Sequence, residues 1–586
     1  MSKTFSQAEM AQQAEDYELQ PTSLADADEP LLPRYEQHLH HAGTPSPHAR
    51  HELAKRHSRF RRSLACMCLS VMVFVPWLGL AACFFGRTTV QRVKGWDRVP
   101  GDWKQWLDKV VPGSQAYNGM FPTDVGYAGP TPTGSEAALL ATAPALPMYS
   151  GVSPLVAPSN SRGSFNIIQH WGPLSPFYSV ASHGLPETSS LFPPQCQIEE
   201  VHWLQRHGAR YPTSGGDGPL SVAMRLKEAE GWTAKGDLAF LNDWEHKLGE
   251  EVLTPFGRQQ LFNLGVSARL KYGNLLEKMD GRLPVFRTES QDRMLRSAQN
   301  FATGFFGYPA EEQYNLLVTI ENPGFNNTLA PWSTCRADNA DFSSSVWEKL
   351  NTWDNNFLSD AQTRLQSMIE GYEVSIKDAK DFMDMCAYET VALGYSSFCN
   401  LFTQKEWKGY EYRWDIMWWY FGSFGYPAAK AQGMGWVQEM VSRLTHSRIT
   451  DFDSSINGTF HNDVQFPLND PIYVDFTHDT VFALLLPTMN LTSFAETGEP
   501  PLDHIPKHRS FIASKFSPFA TNLQIQVLSC SAGKQVRMIL NDAAVPLTGI
   551  NGCPDNDDGL CPFDAFVESM QSLIAEANWE RDCGGI

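Results

Sequence analysis

The stretch IEEVHWLQRHGARYP, residues 198–212, decides the reading of this chain. Residues 198–205 alternate apolar and polar in the manner of a strand. Arg206, His207, Gly208, Ala209, Arg210 and Tyr211 follow, and Pro212 stops regular structure. Gly208 is expected to let the backbone turn tightly. A strand that runs into a polar loop delivers its side chains to the carboxyl edge of a sheet, where α/β proteins build their sites. An imidazole flanked by two guanidiniums suits phosphate chemistry, because each guanidinium can grip an oxyanion through paired N–H donors.

A second stretch far downstream has the same grammar. IYVDFTHDT, residues 472–480, is strand-like and ends in His478 and Asp479, and the apolar run VFALLL (481–486) reads as a buried helix. A third, FRTESQDRMLRSAQNF (286–301), places Arg293 at the entrance of an amphipathic helix, whose positive end favours anions.

The rest of the 586-residue chain sets the context. With 46 Lys and Arg against 65 Asp and Glu, the net charge of −19 argues against a general nucleic-acid binder. Residues 1–62 form a polar tail, expected to be disordered, with six histidines between His38 and His57. Residues 63–86 are 24 residues without a charge, long enough for one membrane-spanning helix. Six basic residues precede the run in 50–62 and four follow it in 87–101, a bias that puts the N-terminus in the cytoplasm. Residues 87–164, rich in Ala, Pro, Gly, Ser and Thr towards their end, read as a stalk or linker. Regular patterning begins near residue 165.

Cys66, Cys68 and Cys83 lie in the apolar run, and the other eight cysteines all follow it. An even number on one side of an anchor suggests four disulfides in an oxidising compartment, with 105 possible pairings. Cys553 and Cys561 are the natural local pair. Sequons at Asn326, Asn457 and Asn490 fall on the same side. A single-pass protein follows, with its large domain lumenal or extracellular: in the secretory pathway, at the cell surface or in a vacuole.

At this point the sequence resembles the histidine acid phosphatases, the branch-two histidine phosphatases, and within them the fungal phytase-like group. RHGARYPT (206–213) matches their nucleophile motif and THD (477–479) their distal pair. LTPFG (253–257), RTESQDR (287–293), MDMCAYET (383–390), CPDNDDGLC (553–561) and QHWGPLSPFYSV (169–180) resemble further stretches. The likeness covers about residues 165–586. It implies an α/β domain with helices on both faces of a central sheet and a smaller, mainly helical domain within about 335–465, the site lying between them. It implies His207 as nucleophile, Asp479 as proton donor, and Arg206, Arg210, Arg293 and His478 as phosphate ligands. Arg293 is preferred to Arg287 because it stands eight residues before Phe301, where the family keeps its arginine. The implied disulfides are Cys196–Cys530, Cys335–Cys583, Cys386–Cys399 and Cys553–Cys561.

The expected activity is hydrolysis of small phosphate monoesters through a phosphohistidine, at mildly acidic pH, with no metal or other cofactor. The alternatives are a non-catalytic membrane glycoprotein that uses the fold for binding, or a phosphoryl transferase. The sequence departs from the family where phytases hold their many-phosphate substrate. No base follows Thr213 up to Leu220, and Met417 and Trp418 replace a Lys-Lys pair. Thr213, Met417 and Trp418 are therefore candidates to line a pocket for less charged or more apolar esters.

Overall fold

The computed structural model describes residues 165–186, 192–214, 218–335, 337 and 340–584. The expected tail, anchor and linker (1–164) lie outside the described residues. Among the described residues, no helix is long and apolar enough to cross a membrane.

A mixed sheet forms the centre. Its strands are β1 (Cys196–Arg206), β2 (Val285–Glu289), β3 (Asn315–Thr319), β4 (Ile472–Thr477), β5 (Asn522–Cys530), β6 (Gly533–Leu540), β7 (Ala543–Ala544) and β8 (Leu560–Pro562). The spatial order is β8-β6-β5-β1-β4-β2-β3, with β7 paired to β6. From β1 through β4 and β2 to β3 the pairing is parallel; from β1 through β5 and β6 it is antiparallel. β4 is buried along its whole length, as is β1 from Val201 onward, although both carry polar residues, His202 and Gln205 in β1 and Asp475 in β4.

Helices cover both faces. Helix α1 is Pro219–Glu228, α2 is Pro255–Tyr272 and α3 is Asp292–Phe306. On one face Leu261, Ala268, Ala298 and Phe301 of α2 and α3 pack against Val201, Trp203, Val474 and Phe476. The next helices are α4 (Ala340–Gln366), α5 (Ile376–Leu393), α6 (Gln404–Gly422), α7 (Ala429–Leu444), α8 (Asp479–Thr488) and α9 (Phe563–Glu576). On the opposite face Val437 and Met440 of α7, Leu485 of α8 and Phe566 of α9 pack against Leu204, Ile525 and Met538.

The helical layer has its own core, in which Leu358 of α4, Phe382 of α5 and Trp407 of α6 meet. Both α5 and α6 start with a capping box, Ser375 with Asp378 and Thr403 with Glu406, which satisfies backbone N–H groups that the first turn leaves free. This core also takes in Val222 of α1 and Trp171 near the start of the described chain. In contrast α7, although it falls within 335–465, is bound to the sheet: Asp475 of β4 accepts from Trp436 Nε1 at 3.0 Å and Arg443 Nη1 at 2.9 Å. Disulfides join Cys196 to Cys530, Cys335 to Cys583, Cys386 to Cys399 and Cys553 to Cys561, the pairs that the resemblance implies.

Candidate active site

The register of β1 on β4 brings the two distant motifs together. Arg206 stands opposite Thr477, so the residues that follow, His207 and His478, leave neighbouring strands at the same carboxyl edge. The His207 N–H donates to Thr477 O at 3.2 Å, and the two imidazole centroids lie 5.6 Å apart. Asp479 opens α8, and Arg293 stands in the first turn of α3.

The loop after β1 is clamped by α2. Thr254 caps α2 by accepting from the Gly257 N–H at 3.0 Å. The Thr254 N–H donates to Ala209 O at 2.9 Å, and the Ala209 N–H donates to Gln260 Oε1 at 2.9 Å. Gly208 is required here for close approach: a Cβ on it would lie 2.3 Å from Gly257 O, and one on Gly257 would lie 1.9 Å from Ala209 O. Gly208 does not have the positive φ that a tight glycine turn would use, so its absent side chain matters for packing rather than for the turn expected from sequence.

His207 is buried, and its Nδ1 lies 2.8 Å from Gly208 O. A carbonyl can only accept, so Nδ1 carries the hydrogen and Nε2 keeps its lone pair. Burial, then the nearby Arg206, Arg293 and Arg210, hold its pKa well below the ordinary value, so the ring is neutral and nucleophilic in acid.

Arg206 is buried, donates Nη1 to Pro173 O and Ser517 O at 2.6 Å each, and donates Nη2 to Asp479 Oδ2 at 2.5 Å. Burial lowers its pKa to about 10, so it stays charged. Arg210 Nη1 donates to Tyr211 O at 2.9 Å and reaches the Tyr388 hydroxyl at 3.4 Å. Arg293 Nη1 donates to Glu251 Oε2 at 2.6 Å. Each of the three arginines also keeps a buried Nε–H with no acceptor. The cluster therefore holds more positive donors than the protein satisfies, which is the condition for binding an oxyanion.

His478 Nε2 lies 2.8 Å from Glu289 Oε2 and 3.0 Å from Glu321 Oε2, and Trp332 packs edge-on against its ring with centroids 5.3 Å apart. Burial opposes a charge on His478, but Glu289 and Glu321 overcome it and raise its pKa to about 9. Asp479 Oδ1 accepts from the Thr480 N–H at 3.0 Å and its side chain is 18% exposed, so it remains within reach of a ligand.

The structure thus gathers His207, Asp479, Arg206, Arg210, Arg293 and His478. Met417 and Trp418 are the pocket candidates expected from the sequence. Both lie on α6 within the large apolar cluster of the helical layer and sheet, Trp418 buried and Met417 half-buried, because apolar side chains on that face gain more from packing than from water. Thr213 is exposed, with Ser214 beside it tied to Glu251. Glu251, Glu289, Glu321, Trp332 and Tyr388 escaped the sequence reading. Glu251 precedes LTPFG and Glu289 sits inside RTESQDR, so position within matched motifs was the available signal.

Among the described residues, the one trio of potential metal ligands is Glu289, Glu321 and His478, with donor atoms within 4.8 Å of one another. Their mutual hydrogen bonds account for that convergence.

The comparisons with known proteins agree with this geometry. The profile of the histidine phosphatase superfamily (branch 2) matches residues 197–541. Phytase A of Aspergillus oryzae is 30% identical over 436 residues, covering 71% of this chain and 91% of that protein. Phytase A of Aspergillus fumigatus is 31% identical over 425 residues, covering 70% and 89%. The crystal structure of the phytase from D. castellii shares the fold, with a TM-score of 0.61 and 24% identity over 75% of this chain and 92% of that one. A neutral histidine among arginines, set on this sheet and matched over this length, places the chain in branch 2 of the histidine phosphatase superfamily, with the histidine acid phosphatases of phytase-like type.

Proposed function

We propose that this phosphomonoester hydrolase works through a phosphohistidine on His207. The observation that carries the reading is the neutral, tautomer-fixed His207 within a set of arginines and beside Asp479. Nε2 attacks phosphorus as the ester oxygen leaves, and Asp479, protonated, gives that oxygen its hydrogen. Water then attacks the phosphohistidine, Asp479 takes the proton, and phosphate departs. The arginines and His478 offset charge on the equatorial oxygens, where water is largely excluded.

Rapid mixing with a labelled monoester, followed by alkaline quenching, tests the intermediate. Label is expected on His207 and absent from His207→Ala, which should also lose turnover. A fully active His207→Ala would refute the assignment.

The substrate class follows from the charges at the rim. Glu251 pairs with Arg293, Glu321 with His478, and no base follows Thr213 up to Leu220, so beyond the cluster that suits one phosphoryl group the rim adds little positive charge for a polyanion. The relatives are named phytases. This chain is expected to favour simple aryl or alkyl phosphates over inositol hexakisphosphate; a higher kcat/KM for the latter would defeat that expectation. Residues 63–86 are proposed to anchor the enzyme with its N-terminus in the cytoplasm and its catalytic domain lumenal or extracellular. The four disulfides and the sequons support this orientation. Protease protection of the domain in sealed vesicles tests it.

A further inference from the structure

Two carboxyl groups converge on one nitrogen of His478. Glu289 ends β2 and is fully buried, while Glu321 follows β3 and is nearly so. Their oxygens approach the same Nε2 at 2.8 and 3.0 Å. Glu321 is further held by Gln291 Nε2 on Oε1 at 2.8 Å and by its own N–H on Ser290 Oγ at 3.0 Å. Glu289 Oε1 has no partner at all. Two carboxylates this close, one of them fully buried, repel each other, which favours a proton on one of them.

The environments say which. Burial, with Glu321 beside it, pushes Glu289 well above the usual carboxylate range. Burial also works against Glu321, but hydrogen bonds from His478 and Glu289 hold it at about 2. The arrangement is then Glu289 as acid, Glu321 as carboxylate and His478 as imidazolium.

The consequence falls on the other ring nitrogen. With Nε2–H committed to the carboxyl pair, Nδ1 is the atom left for the phosphoryl group. It can donate only if the ring carries both hydrogens. We propose that Glu289 and Glu321 act together as one positioning unit, two carboxyl groups that place one negative charge on Nε2, that keeps His478 charged and turns Nδ1–H towards the phosphoryl oxygen. The inference rests on the reading of the site as a phosphatase centre. The other titratable groups around the trio are His207 from the loop after β1, which faces the His478 ring, Asp479, which follows it at the start of α8, and Arg293 from α3, which lies near Glu321.

A pair in which either member can carry the charge makes an unusual prediction. In Glu289→Gln the Glu321 carboxylate remains, and the charge stays. In Glu321→Gln, Glu289 ionises and replaces it. Only the double variant leaves the imidazole without a counter-charge, and burial then pulls its pKa below about 6.5.

The experiment measures kcat/KM of the full chain for an aryl phosphate between about pH 4.5 and 8, as a ratio to wild type so that substrate ionisation cancels. Each single variant should show a flat ratio. The double variant should show a ratio that falls about tenfold per pH unit above the new pKa, and phosphate inhibition should weaken over the same range. A His478→Ala variant should be impaired with no such limb. A flat ratio in the folded double variant would overturn the proposal, as would a new limb in a single variant. So would loss of wild-type activity to EDTA with recovery on added Zn2+, since the trio would then be holding a metal. His207→Ala separates the two levels: activity there would sink the phosphatase reading, whereas a dead His207→Ala with a flat double variant would sink only the role of the pair.

Discussion

Gly257→Ala tests whether the backbone contact beneath His207 sets its position. The added Cβ would stand 1.9 Å from Ala209 O, 2.8 Å from Ala209 C and 2.8 Å from Ala209 N. Carbon and a carbonyl oxygen do not pack closer than about 3.0–3.3 Å, so α2 and the loop must part by roughly 1.2 Å. Neither side yields easily. The loop is held by Thr254 and Gln260, and α2 is packed along its length against α3, where Gly265 and Gly304 allow close contact. Overpacking of this kind costs about 1–3 kcal/mol. A displacement of about 1 Å in a reacting group costs on the order of 10²-fold in rate. Steady-state turnover of an aryl phosphate at mildly acidic pH should therefore fall by about 10²-fold, mostly in kcat, while urea unfolding shifts by about 1–3 kcal/mol. A variant within about threefold of wild type and equally stable would show that the contact does not position His207.

Other perturbations have equally definite outcomes. Asp475→Ala removes the shared partner of Arg287 and Arg443, both buried, and should cost about 3–5 kcal/mol in urea unfolding; a loss below about 1 kcal/mol would refute the importance of the pair. Despite its burial, Arg287 and Arg443 hold the Asp475 pKa well below the usual range, so its stabilisation is complete above about pH 4 and is lost only as the pH falls through the native value. Stability measured from pH 6 to 4 should therefore show no Asp475-dependent decline. Replacing Cys335 and Cys583 with Ser opens a link between residues 248 apart and should cost about 2–5 kcal/mol; an unchanged melting temperature would contradict this. Of the three sequons, Asn457 alone keeps its amide nitrogen unbonded, since Asn326 donates to Ile456 O and Asn490 to Gly549 O. Asn457→Gln should remove the largest share of glycan by gel mobility after glycosidase treatment, and a variant running with wild type would count against that ranking.

The strand-loop signals of β1 and β4 were plain in the sequence because the alternation and the terminal histidines are local properties. The choice of Arg293 over Arg287 also agrees with the placement: Arg287 is turned into the protein against Asp475, two residues below the site, while Arg293 is at the cluster. What was hidden depends on register between strands remote in sequence. Glu289 faces His478 because Phe286 and Arg287 of β2 pair with Val474 and Asp475 of β4, which no local pattern reveals. The surroundings of Met417 and Trp418 are hard to read from sequence for a related reason. On α6 nearly every face is covered, so an aromatic residue there carries no sign of which neighbour it meets.

The direct pairing of β1 with β4 makes everything between them a detour of the chain. His207 and Asp479 thus leave two adjacent strand ends, yet the detour is not free to vary throughout, because it carries Arg293, Glu289, Glu321 and Gly257 to those same ends. An engineer seeking a new specificity would leave that part of the detour and the two strand termini untouched, and would vary the outer surface of the helical layer.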